Sequence, residues 1–418
     1  MTSDLLHRID SWTSLTVLVI GDAILDSYLN GSTDRLCREA PAPVVAVHQQ
    51  LDVPGGAANT ATNLASLGSR VVFLSVLGAD REGERLRQAL EQRGVSSAGM
   101  ISSEQRQTLA KQRVLAGSQI LVRLDQGSTE EISPELEQQL IDRLMTQFPQ
   151  ADAVVISDYN YGILTPRLLH KLKSLQSEFP RTLVIDSRQL SIYHPVGATA
   201  VKPNYDEAIH LLGLPKQPRD RAEQITPYGD RLLQLTGASI VAVTLDVEGA
   251  IVFEPGQPPI RTHARPAPQN QTSGAGDTFI SALTLALASG ASTTTASSLA
   301  STATAIVVQQ PGTTACRAEE LRQSIIDARS PSKLILDQSD LATYVQQYRA
   351  ADRRIVFTNG CFDILHPGHV AYLTQAKLLG DVLIIGVNSD ESVRQLKGNG
   401  AGQSFKRSAH GLICLKLC

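Results

Sequence analysis

An α/β fold built around a doubly wound, mostly parallel sheet is expected for most of this 418-residue chain. Three observations predict it. Short apolar runs rich in β-branched residues recur at Leu15–Ile20, Val71–Val76, Ala153–Ser157, Leu183–Asp186 and Ile240–Thr244, and runs without polar alternation mark strands covered on both faces. Helical patterns fill the intervals, as at Glu82–Arg93 and Pro134–Gln147, so strand and helix alternate. The first run stops at Gly21-Asp22 and delivers Asp22 and Asp26 to the carboxyl edge of the sheet, where open α/β sheets take ligands.

Taken in order, the elements break this rhythm once in the first half. Pro41–His48 is a short strand with prolines at its head and no helix after it, which reads as an edge flap or lid. Helices are expected at Phe279–Ser289 and Thr293–Gln309, and the Ala, Ser and Thr of the second permit close packing. The composition turns polar at Asp327–Ser332, and a fresh βα unit starts at Arg354. These breaks place a first domain at 1–328, a linker at 329–352 and a second domain at 353–418.

With 42% hydrophobic and 19% charged residues the chain is an ordinary globular one, and its net charge of −3 argues against a nucleic-acid or membrane-surface binder. Five scattered cysteines without metal spacing fit reduced thiols, and the N-terminus has no apolar leader, so a cytoplasmic location is expected.

The first chemical motif is Ser273-Gly-Ala-Gly-Asp277-Thr-Phe279. Small residues at Gly274, Ala275 and Gly276 let successive backbone N–H groups converge, and a helix beginning there adds its positive end, which makes an anion hole. Asp277 then stands where it could accept a proton from an attacking hydroxyl. Alone, the motif reads equally as a glycine turn capped by an aspartate. Other segments extend it. Pro54–Gly68 is a Gly55-Gly56 hinge entering a helix that carries Asn59 and Asn63, though a plain helix start is its simpler reading. Asn204 and Glu207 fall one turn apart, a spacing suited to hydrated Mg²⁺ near phosphates. Thr244 ends a strand ahead of Asp246 and Gly249, a place for nucleotide phosphate contact.

Residues 15 to about 328 resemble the ribokinase-like sugar kinases, through GGAANTATNLASLG and SGAGDTF in the family's order. The resemblance implies Mg-ATP as co-substrate, Asp277 as catalytic base, Gly274–Gly276 as anion hole, and Asp26, Gly55, Gly56 and Asn59 at the sugar. It also implies Asn204 and Glu207 near Mg²⁺ and phosphate, a β-flap lid from about Asp34 to Val53, and a homodimer through that lid. Within the family the likeness is to heptose 7-phosphate kinases, through Val19–Asp26, Arg38–Val45, Leu121–Asp125 and Ser157-Asp158-Tyr159. The distal phosphate of such a sugar needs cations. Lys111, Arg113, Arg123 and Arg188 are the candidates, each also readable as a solvated surface charge. Three positions depart from the family pattern. Gln271 replaces an Asp that helps hold a monovalent cation, so K⁺ activation is not implied; Tyr161 stands where Lys is usual; and Asp186-Ser-Arg188 replaces Asp-Pro-Lys.

The second motif, Thr358-Asn-Gly-Cys-Phe-Asp-Ile-Leu-His366-Pro-Gly-His369, follows a strand and opens a helix. Imidazoles there could donate to α- and β-phosphates and stabilise a leaving pyrophosphate. An isolated HxGH could equally be a helix cap with packed histidines. The full string, continued by Leu378–Asp390, resembles the cytidylyltransferase-like nucleotidyltransferases, and heptose 1-phosphate adenylyltransferases among them. Thr358, His366 and His369 are its implied nucleotide ligands. The likeness stops near Lys397-Gly398, and Gly400–Cys418 has no clear periodicity, so a partial Rossmann-like domain is expected. The reading is therefore a heptose 7-phosphate kinase fused to part of the matching adenylyltransferase. The alternatives are a ribokinase-like kinase for another sugar and a non-catalytic sugar- or nucleotide-binding protein.

Overall fold

In the computed structural model the described residues are 2–117, 119–264, 274–310, 312–329, 334–335, 338–360, 367–387 and 413–417. The chain divides into two compact units, Met1–Ser324 and Ile325–Cys418.

In the first unit the run of Val and Ile after Leu15 becomes β1 (Thr16–Gly21), buried from Val17 onward. It is followed by β2 (Ala23–Leu36), β3 (Pro43–Gly56), β4 (Arg70–Leu74), β5 (Val76–Gly78), β6 (Ile101–Ser103), β7 (Leu109–Ala116) and β8 (Gln119–Gln126). Next come β9 (Ala153–Asp158), β10 (Thr182–Ser187), β11 (Ala200–Val201), β12 (Ile240–Thr244), β13 (Ala250–Phe253) and β14 (Ile260–Thr262). Eight of them form one sheet in the order β14-β13-β12-β11-β10-β9-β1-β4. It is parallel from β4 to β12, while β13 and β14 run antiparallel at one edge. The core is the continuous apolar surface of these strands, with Leu18, Ile20, Val154, Ile156, Leu183 and Val241 among its members. Crossover helices start where local chemistry says they should. Ser133 accepts from the Leu136 N–H ahead of Pro134–Gln147, and Thr165 accepts from Leu168 ahead of Pro166–Glu178, each with proline in the first turn.

The lid is larger than the expected flap. It is a four-stranded sheet in the order β3-β2-β7-β8, so the strands that form it begin at Ala23 rather than near Asp34. Beyond the hinge end these strands are exposed or half-buried on both faces and mix apolar with polar residues, which hid them from a search for buried runs. Ile120, Val122 and Leu124 alternate along β8 and are all exposed, as are Val47 and Leu51 of β3.

In the second unit, β15 (Leu334–Ile335), β16 (Ile355–Gly360), β17 (Val382–Val387) and β18 (Ile413–Leu417) form a sheet in the order β15-β18-β17-β16. β16 and β17 are parallel; β18 runs antiparallel to both β17 and β15. One set of buried residues, Val382 and Ile384, packs with Leu341, Val345 and Tyr348 of the helix Gln338–Ala350. The alternating set, Leu383 and Ile385, packs with Leu373 and Ala376 of the helix Pro367–Leu378. Two expectations change here. The segment read as a linker contains a strand and an amphipathic helix that belong to this unit. The tail read as patternless supplies β18, because its apolar run pairs with two strands.

Candidate active site

The turn at Gly274 has φ +83°, and a Cβ there would lie 2.8 Å from Asn59 Nδ2, so both backbone conformation and close approach call for glycine. Gly274 caps the helix Ala275–Ala288 without a side-chain acceptor, and Gly274–Asp277 line a cavity of about 700 Å³. That volume suits a nucleotide-sized ligand. Asp277, in the first turn, is 6% exposed. Its Oδ2 accepts from Asn59 Nδ2 at 2.7 Å, and its Oδ1 accepts from Thr60 Oγ1 and the Tyr159 hydroxyl, both at 3.2 Å. Burial pushes the carboxyl up to about 6, the Asn59 hydrogen bond opposes the rise, and the charge of Asp186 adds to it. A base poised there is ionised at neutral pH yet close enough to it to take a proton.

Asn59 and Thr60 open the helix Ala57–Ser66, which follows the glycine hinge. A Cβ on Gly55 would come 2.2 Å from Asp26 Oδ2, and Gly56 has φ +57° with the Asp22 carbonyl 2.6 Å from its would-be Cβ. The hinge thus brings Asp26 and the helix that holds Asp277 together. Asp26 itself accepts from Arg113 Nη1 at 2.5 Å, and Arg113 lies over the Tyr28 ring. Arg123, opposite Arg113 in the β7–β8 register, is paired instead with Asp125; it is 55% exposed and does not line the cavity. Asp22 also departs from expectation. It is fully buried and accepts from the Tyr159 and Tyr161 N–H groups, so it holds that turn rather than facing ligand. Tyr159 and Tyr161 stack with centroids 6.4 Å apart, and Lys111 and Arg188 both lie within 5.8 Å of each ring.

Asn204 and Glu207 line the cavity, but they do not share a helix face. Asn204 is the N-cap of Tyr205–Leu212: its side chain accepts from the Glu207 N–H, and Glu207 Oε2 accepts from the Asn204 N–H, each at 2.8 Å. Burial and the charge of Asp186 raise the Glu207 pKa. Glu207 and Asp186, the latter paired with Lys202 at 3.0 Å, line one cavity and fit a hydrated Mg²⁺ reached through water; among the described residues no group of three or more His, Cys, Asp or Glu could hold a metal directly. Thr244 bridges to Asn204, and Gly249 has φ +85°, with the Thr262 carbonyl 2.3 Å from its would-be Cβ; both line the cavity. Lys202 and Asp186 were missed from sequence. Lys202 follows a two-residue strand, too short to give a pattern, and only its place two residues before Asn204 could have drawn attention to it.

In the second unit Thr358 is 9% exposed and its hydroxyl meets the Tyr372 hydroxyl, while His369 lies in the first turn of Pro367–Leu378. His366 and Gln271 lie outside the described residues.

Fold and site define a sugar kinase of the ribokinase type. The description "pfkB family carbohydrate kinase" matches residues 14–320, and "Cytidylyltransferase-like" matches 357–403. The chain belongs to the bifunctional HldE family of heptose kinase/adenylyltransferases: it is 37% identical over 403 residues to Bifunctional protein HldE of Desulfatibacillum aliphaticivorans, covering 96% of this chain and 82% of that protein. The HldE of Geobacter metallireducens is 38% identical over 387 residues, covering 92% and 78%. In fold the chain resembles Escherichia coli phosphofructokinase-2 in complex with potassium (TM-score 0.61, 22% identity, 75% of this chain and 99% of that one). It also resembles Arabidopsis thaliana ribokinase complexed with ribose and ATP (TM-score 0.58, 20% identity, 74% and 98%).

Proposed function

We propose that the first unit transfers the γ-phosphoryl group of ATP to O1 of D-glycero-D-manno-heptose 7-phosphate. The observation that carries this reading is Asp277, a buried carboxylate held by three donors at the start of an uncapped helix on a nucleotide-sized cavity. Asp277 takes the proton of the attacking hydroxyl as the new O–P bond forms; the bond from the γ-phosphorus to the bridging oxygen breaks, and ADP leaves. The Gly274–Gly276 amides receive the charge on the transferring oxygens. Mg²⁺ arriving with ATP would neutralise the phosphates, held through water by Asn204 and Glu207. Thr244 and Gly249 border the phosphates, and Asp26 and the hinge at Gly55-Gly56 border the sugar. Lys111 and Arg188, gathered on the Tyr159–Tyr161 pair, with Arg113, supply cations for the distal phosphate. Arg188 answers for the lysine that Tyr161 replaces.

The second unit, by this reading, transfers AMP from ATP to heptose 1-phosphate with release of pyrophosphate, using Thr358, His366 and His369. The exposed apolar face of the lid supports a homodimer, and we read the chain as a cytoplasmic enzyme; no described helix is long and apolar enough to cross a membrane.

The test is ATP consumption by the purified chain with heptose 7-phosphate, fructose 6-phosphate and ribose, reading ADP, alongside Asp277→Asn. ADP formed selectively with the heptose and lost in the variant is expected; turnover of ribose or fructose 6-phosphate alone would favour another sugar, and silence on all three a binding protein. Pyrophosphate release on heptose 1-phosphate tests the second unit.

A further inference from the structure

Two buried charges grip the turn that carries Tyr159 and Tyr161. On one side Asp22 accepts from both of their N–H groups. On the other, Arg106 Nη2 donates to the Tyr161 carbonyl at 2.5 Å. Both backbone polar groups of Tyr161 are thus taken by side chains of opposite charge. Arg106 is 8% exposed, and its further bonds go to the carbonyls of Glu130 at 2.9 Å and Ser128 at 3.2 Å. Burial works against the guanidinium, and the charges of Asp22 and Glu130 support it. Only a planar fork of donors reaches three carbonyls from one position.

Those carbonyls belong to the foot of the lid. Arg106 lies just ahead of β7 and Ser128 just beyond β8, and the Ser128 N–H donates to the Gln107 carbonyl at 3.1 Å. A Cβ on Gly162 would come 2.0 Å from the Glu130 carbonyl, so the aromatic turn touches this foot directly. One guanidinium therefore joins the start of β7, the segment after β8 and the turn. β7 also carries Lys111, which lies 5.8 Å from each tyrosine ring, and Tyr159 donates to Asp277. Arg106 itself does not line the cavity.

We propose that Arg106 is a positioning residue for the phosphorylated sugar: by holding the Tyr161 carbonyl to the foot of the lid, it fixes where Lys111 and Arg188 meet the distal phosphate and where the Tyr159 hydroxyl meets Asp277. This rests on the kinase reading. The nucleotide side of the cavity has no such link to Arg106, so its effect falls on the sugar and on the base.

The test compares the full chain with Arg106→Lys, Arg106→Met, Tyr159→Phe and Arg106→Met/Tyr159→Phe. Each is checked for folding by thermal melt, for the KM of heptose 7-phosphate and of ATP, and for the pH profile of kcat/KM. In Arg106→Met the KM of heptose 7-phosphate is expected to rise about tenfold or more, the worth of a hydrogen bond to a charged group, while that of ATP stays within about threefold. The same variant should prefer heptose 7-phosphate over the unphosphorylated heptose less than wild type does, and Arg106→Lys should recover part of the loss. The acid limb should move upward in Arg106→Met and in Tyr159→Phe, since each weakens a bond that favours the charged carboxylate, and the double variant should add little further. If Arg106→Met does not fold, Arg106→Lys carries the comparison with a smaller change of the same sign. A folded variant whose two KM values change alike, or whose limb stays with the wild type, would overturn the proposal and leave Arg106 a support of the fold alone. Calorimetry with heptose 7-phosphate separates the two readings. If the wild type turns over no sugar yet binds heptose 7-phosphate more tightly than the variants, the kinase reading fails and the positioning role stands; no binding by the wild type would overturn both.

Discussion

Asn59 donates to Asp277 across 2.7 Å, and through that bond the helix behind the glycine hinge holds the candidate base. The bond opposes what burial does to Asp277, so it sets the pH at which the carboxylate forms.

Asn59→Ala should therefore raise the Asp277 pKa above about 6 and shift the acid limb of the kcat/KM profile upward. A hydrogen bond to a charged group, worth about 1.5–3 kcal/mol, moves a pKa by about 1–2 units, so turnover at pH 7 should drop about 2–15-fold and recover at higher pH. In the wild type the limb itself should lie near pH 6, activity rising with pH as the base ionises. A profile in which the variant's limb stays put would separate Asn59 from the base.

Asp22 gives a stability prediction. Burial, with the nearby charge of Asp158, raises its carboxyl to about 6. A raised folded pKa favours the protonated native state, so this stabilisation is complete below about pH 4 and is lost as pH rises through about 6. Asp22→Asn does not titrate, and its stability relative to wild type should improve by up to about 3 kcal/mol between pH 4 and 7. Chemical denaturation at both pH values measures it; a constant difference would show that Asp22 does not titrate in this range.

Gly274→Ala should lower both activity and melting temperature. The new methyl would stand 2.8 Å from the Asn59 amide in a left-handed backbone, costing about 1–2 kcal/mol in conformation alone before the Asn59–Asp277 bond is displaced. A variant with unchanged kcat would mean the turn has another way to settle.

Ile120→Glu/Val122→Lys on the lid should leave the first unit folded and shift the chain from dimer to monomer in sedimentation, since both residues are exposed on β8. Identical sedimentation of variant and wild type would remove the lid from any assembly.

Much of the first unit was legible because its sheet strands are buried on both faces, as at Ile240–Thr244, and because its helices carry local start signals, as at Pro134–Gln147. The lid was underestimated because its strands are largely exposed and mix apolar with polar residues, as β8 does. Among candidate site residues, Asp277 and the glycines could be singled out only with the segments around them, since the string alone reads equally as a glycine turn capped by an aspartate. The Asn204–Glu207 spacing was ambiguous in physical terms: N-x-x-E is also the signature of a capping box, and the structure uses it as one. Asp186 and Lys202 meet only because β10 and β11 are neighbours, a pairing no local pattern announces.

The bond from Asn59 to Asp277 joins residues 218 positions apart. Contacts of such sequence separation form late and slowly, after long stretches of chain have already organised. On refolding from denaturant, secondary structure should return well before phosphoryl transfer does, and the lag between the two would time the docking of Ala275–Ala288 against Ala57–Ser66. Catalytic power here is then a clock for the last step of assembly.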